Sequence, residues 1–134
     1  MYTIDYNSYR SVGSFNRRVR FLVMHYTAVD FAASINKLAS AKAQDSAHYL
    51  VPDPADPTYQ AAGFTSVRIF NLVSETERAW HAGVSAWGNR TNLNDTSIGI
   101  ENVNLVTGDI GNMNFSPYNP QQIEALQELA LNIL

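Results

Sequence analysis

The clearest signal along the chain is a set of short apolar runs separated by polar, turn-rich stretches. Residues 18–24 read Arg-Val-Arg-Phe-Leu-Val-Met, increasingly apolar and β-branched, which predicts a buried strand ending at His25. Beyond Thr27, the residues Phe31, Ile35, Leu38 and Ala39 recur at helical spacing, with Asp30 placed to cap the first turn; this predicts an amphipathic helix. Residues 47–51 (AHYLV) form a second strand candidate closed by Pro52. Pro54 and Pro57 cannot donate to a ladder, so a surface loop is expected there. Residues 67–73 (VRIFNLV) alternate like a half-buried strand, and 97–101 (SIGIE) read as a central one. Asn119 and Pro120 make an N-cap and N1 pair for a last helix whose apolar face is Ile123, Leu126, Ala130 and Ile133. Strands with helices between them predict an α/β fold.

That last helix shows neither Gly past its final turn nor basic residues within it, so the pattern predicts a chain cut before its natural end. The 134 residues, 46% apolar and 16% charged, suit a single globular domain, and no repeat or linker divides them. A net charge of −3 with no basic cluster argues against nucleic acid as a partner. With no cysteine, a disulfide framework and a thiolate metal site are both excluded, so any metal must use His, Asp or Glu. Residues 1–20 contain Asp5 and no apolar core, so no signal peptide is visible, and no transmembrane segment is expected.

His25, His48 and His81 are the only imidazoles, and imidazole is the commonest protein ligand for zinc; a lone strand histidine is nevertheless more often a packed core residue. Glu101 ends an apolar strand, where burial is costly without a purpose and would raise its pKa towards neutrality.

Four ordered segments settle the context: FLVMHYTA at 21–28, SAHYLVP at 46–52, AWHAGVSAW at 79–87 and LNDTSIGIENVN at 93–104. Together they resemble the AmpD-like zinc N-acetylmuramoyl-L-alanine amidases, a superfamily shared with peptidoglycan recognition proteins and phage lysins, over nearly the whole chain from about Arg18. The resemblance implies a mixed central β-sheet flanked by helices, and a zinc enzyme that hydrolyses the amide joining N-acetylmuramic acid to L-alanine, with peptidoglycan or muropeptide as partner. It makes His25, of the HYT segment, a Zn2+ ligand, with Thr27 or a main-chain carbonyl orienting the ring. It makes Glu101 the general base that activates the attacking water and then protonates the leaving amine. Trp80 and His81 are expected to line the substrate groove, with a buried core role as the alternative for Trp80. Asn94 and Asp95 are expected to shape one cleft wall, although Asn-Asp-Thr-Ser is also turn chemistry. His48 is expected beneath the groove in a structural role, and Ala47 stands where some superfamily members carry a catalytic Tyr.

Family members continue into a strand with a second His ligand and a loop with Lys and an Asp or Cys ligand, positions this chain does not contain. His25 alone is therefore not expected to hold zinc, and the 134-residue chain is expected to be inactive with an open sheet edge. The resemblance is nearer to envelope-acting members, some of them antibacterial effectors delivered by secretion systems, and so implies the bacterial periplasm. The competing expectation is a non-catalytic peptidoglycan-binding module of the same fold.

Overall fold

The computed structural model describes Tyr2, Ile4, Asp5, Ser8, Tyr9 and residues 19–134; the expectation for Arg18 lies outside them. Strands β1 (Phe21–Ala28), β2 (Tyr49–Val51), β3 (Phe70–Asn71), β4 (Ala86–Trp87), β5 (Arg90–Thr91), β6 (Ser97–Asp109) and β7 (Asn112–Phe115) alternate with helices α1 (Phe31–Ala39), α2 (Pro57–Ala61) and α3 (Pro120–Ile133). The main sheet runs β1-β6-β2-β3, with β6 parallel to both neighbours, β3 antiparallel to β2, and β7 folded back on the far end of β6. This is the mixed, helix-flanked sheet that the family resemblance implies.

Strand β6 organises the molecule because its successive side chains point to opposite faces. Ile98 and Ile100 join Tyr49, Val51 and Leu129 in one apolar cluster, so α3 covers that face. Val103 joins Phe31, Leu38, Leu50 and Tyr59 in the other cluster, so α1 and α2 cover the opposite face towards the C-terminal half of the strand. Ser97, Gly99 and Glu101 share this second face but contribute to neither cluster.

One carboxylate ties the two small helices together. Asp56 caps α2 by accepting from Thr58 N (2.8 Å) and Thr58 Oγ1 (2.7 Å), while its other oxygen accepts from Phe31 N at the start of α1 (2.7 Å, buried). Asp56→Ala removes the acceptor for donors at two helix starts and should lower unfolding free energy by about 2 kcal/mol. Urea denaturation checks this, and a loss under ~0.5 kcal/mol would show that water replaces the carboxylate without cost.

Several boundaries differ from the pattern. His25 lies inside β1 rather than at its end, because the parallel ladder with β6 continues to Ala28. The strand expected over 67–73 shrinks to Phe70–Asn71, and the one over 47–51 to Tyr49–Val51. The proline-rich loop leads directly into α2, with Pro57 at its first turn, where the missing N–H costs nothing. Strand β6 runs eight residues past Glu101 and turns through Ile110–Gly111 into β7; Gly111 takes φ +92°, open to glycine without strain.

Candidate active site

The parallel register sets His25 of β1 directly opposite Glu101 of β6, and paired residues of neighbouring strands share a face. Leu50 of β2 completes the row on the other side of Glu101. Glu101 is mostly buried, and its Oε2 has no hydrogen-bond partner among the described residues. Burial pushes its pKa up to about 7, against a smaller opposing pull from Lys37. Beside it lies a cavity of about 30 Å³ lined in part by Thr27, Ser34, Lys37 and Leu38, room for one water molecule. A carboxyl that changes protonation near neutrality next to a water-sized space is suited to general acid–base work.

His25 is half-buried, and burial lowers its pKa, favouring neutral imidazole, the form that binds metals. Its Nε2 lies 2.9 Å from His81 Nδ1, and the rings meet edge to face at 5.1 Å. His81 Nε2 in turn lies 2.9 Å from Ser97 Oγ, whose hydroxyl donates to Leu93 O at 2.6 Å. Both His81 ring nitrogens thus face protein partners, and the ring is directed at His25. Thr27 does not orient His25: its hydroxyl donates to Val29 O (2.7 Å) and accepts from Asn104 N (3.2 Å), bridging a register shift between β1 and β6.

The loop carrying His81 is clamped through its backbone. Ser46 accepts from Trp80 N with its side chain (2.8 Å) and donates its own N–H to Trp80 O (3.0 Å). Asn94, nearly fully buried, accepts from both His81 N (3.1 Å) and Ala82 N (2.8 Å) with one amide oxygen. Asn94 therefore fixes the loop that carries His81. Asp95 instead forms an ion pair with Arg78 at the surface. Trp80 is 57% exposed, so its ring is a surface platform rather than a core residue, and Trp87 of β4 is exposed as well.

His48 is fully buried: Nδ1 accepts from Gly99 N (3.0 Å) and Nε2 donates to Glu77 O (2.8 Å). With both nitrogens bonded to backbone it braces β2 against β6. Ala47 is also fully buried, leaving no side-chain polar atom where a Tyr would act.

Sequence reasoning missed Ser46, Ser97 and Gly99. The signal for the last two is the residue pattern of SIGIE, where the positions sharing a face with Glu101 are small while the intervening ones are Ile. Among the described residues no three His, Asp or Glu side chains gather as a metal cluster.

The N-acetylmuramoyl-L-alanine amidase family matches residues 15–134. The chain is 48% identical over 118 residues to N-acetylmuramoyl-L-alanine amidase AmiD of Escherichia coli K12, covering 87% of this chain and 40% of AmiD. Among solved structures, AmpDh3 from Pseudomonas aeruginosa in complex with anhydromuramic pentapeptide superposes with TM-score 0.84 at 61% identity, covering all of this chain and 52% of that one. E. coli AmiD in complex with the substrate anhydro-N-acetylmuramic acid-L-Ala-D-γ-Glu-L-Lys superposes with TM-score 0.71 at 44% identity, over 94% of this chain and 46% of that one. The chain thus spans about half the length of the relatives it matches. A family match over nearly all of its residues, on a sheet that sets a histidine opposite a buried glutamate, places the chain in the N-acetylmuramoyl-L-alanine amidase family.

Proposed function

We propose that the protein hydrolyses the amide between N-acetylmuramic acid and L-alanine in peptidoglycan or its muropeptides, with Glu101 as the proton-transfer group. The observation that carries this is the buried Glu101 carboxyl, its Oε2 without a hydrogen-bond partner and its pKa pushed up to about 7, set in register opposite His25. The solved relatives bound to anhydromuramyl peptides support the substrate class. Deprotonated Glu101 takes a proton from the attacking water; protonated, it returns one to the departing alanine nitrogen. The exposed Trp80 ring offers an apolar platform for the sugar or the peptide stem.

The family resemblance implies zinc, and two features fit it: His25 has a ring nitrogen turned away from His81, and Glu101 Oε2 is an orphaned buried oxygen on the same face. His25 would hold the ion together with ligands from outside the described residues. Zinc supplies Lewis acidity, polarising the scissile carbonyl and acidifying water. Action in the bacterial envelope, including delivery as an antibacterial effector, is the setting this chemistry serves. Among the described residues no helix is long and apolar enough to cross a membrane.

The test is to incubate a full-length form that carries the remaining metal ligands with zinc and anhydromuramyl tripeptide and identify products by mass spectrometry. Appearance of free anhydro-N-acetylmuramic acid and intact tripeptide is expected, abolished by chelator. Cleavage within the peptide, or binding without cleavage, would overturn the reading, the latter in favour of a recognition module.

A further inference from the structure

The geometry points to His81 as a positioning residue that fixes which nitrogen His25 offers to a metal, through an ordered hydrogen-bond chain ending at a backbone carbonyl. As far as it concerns metal, this rests on the function proposed above; the hydrogen-bond chain itself does not.

The direction of the chain follows from proton counting. Leu93 O can only accept, so the single Ser97 hydroxyl proton is committed to it at 2.6 Å. Ser97 Oγ must therefore accept from His81 Nε2 at 2.9 Å, which places the His81 proton on Nε2. Neutral His81 then presents a lone pair at Nδ1, and His25 Nε2 donates to it at 2.9 Å. The remaining lone pair of neutral His25 is on Nδ1, where no hydrogen-bond partner is found among the described residues. One main-chain carbonyl thus sets two imidazole tautomers in series.

The surroundings are built for this chain. Asn94 and Ser46 fix the backbone at residues 80–82, and Gly99 leaves the space that the His81 ring fills against β6. A methyl on Gly99 would lie 2.6 Å from His81 Nδ1 and closer still to two ring carbons. Metal-bound histidines commonly donate their second N–H to a carboxylate or carbonyl, and losing such a partner costs ~10–100-fold in metal affinity. Here an imidazole takes the partner's place.

The metal-free protein, in a full-length form that carries the remaining metal ligands, labelled with 15N-histidine and held near pH 8, should show a 15N–15N coupling across the hydrogen bond between His25 Nε2 and His81 Nδ1, with both rings as Nε2–H tautomers. His81→Phe, which removes the acceptor but keeps a planar ring, should abolish the coupling and weaken zinc binding ~10–100-fold in chelator competition. Ser97→Ala is the milder variant, should His81→Phe fold poorly: it frees the His81 tautomer, so the coupling and the zinc affinity should both fall while the melting temperature stays within a few degrees. Absence of the coupling in the parent, or zinc affinity unchanged in Ser97→Ala, overturns the proposal. Coupling in a parent that binds no zinc would confirm the ordered chain and refute the metal reading instead.

Discussion

Glu101→Gln should abolish most amidase turnover, by ~10²-fold or more, while the variant folds and becomes more stable than the parent above neutral pH. The two effects share one cause. Burial raises the pKa of Glu101 from 4.5 to about 7, so ionising it opposes folding. Its favourable contribution is fully present below pH 4.5 and is lost as pH rises through about 7. At ~1.4 kcal/mol per pH unit the full rise corresponds to about 3 kcal/mol, and residual solvent contact brings the expected gain for Gln to about 2 kcal/mol at pH 8. Near pH 4 the two proteins should be equally stable. His25 pulls the other way: its lowered pKa means that stability is lost as pH falls below 6.5, but this is common to both proteins and cancels in their difference. Urea titrations of the chelator-treated proteins at pH 4 and pH 8, with muropeptide assays at matched zinc, check both halves. Turnover within a few-fold of the parent would remove Glu101 from the chemistry, and a pH-independent difference would show that its carboxyl is solvated.

Gly99→Ala should be strongly destabilising, lowering the melting temperature by about 5–10 °C. The backbone at Gly99 cannot retreat, because its N–H donates to His48 Nδ1 and its carbonyl accepts from His48 N, each at 3.0 Å. The His81 ring must move instead, and moving it breaks its bonds to His25 and Ser97. An overpacked site of this kind costs ~1–3 kcal/mol. Scanning calorimetry is the check, and a melting temperature within 2 °C of the parent would mean that the ring finds another seat at no cost.

The elements that were legible in the sequence are those whose signals are local. Helix α1 shows its Asp30 cap and apolar period, and α3 its Asn119-Pro120 start. Helix α2, five residues long, and β3, two residues long, are too short to generate a period, and β4 and β5 are exposed throughout. Past Glu101, Asn102 and Asn104 take buried positions that apolar alternation would assign to Val or Ile, which hid the length of β6. At the site, His25 and Glu101 were found through the HYT and IGIE segments, but their juxtaposition is a matter of strand register. The directing of His81 at His25 joins residues 56 apart, and nothing in either segment encodes it.

The same register has a kinetic consequence. Strand β1 finds its partner in β6, and the link from the Asn102 side chain to His25 O spans 77 residues. Closing such a long loop carries its entropic cost before any ladder bond repays it, so this pairing should form late in folding. On the ribosome, α1 and α2 can gather around Phe31 and Tyr59 while β6 is still unmade. The imidazole and the carboxyl therefore remain strangers until β6 is threaded between β1 and β2, and partly synthesised chains carry no assembled site.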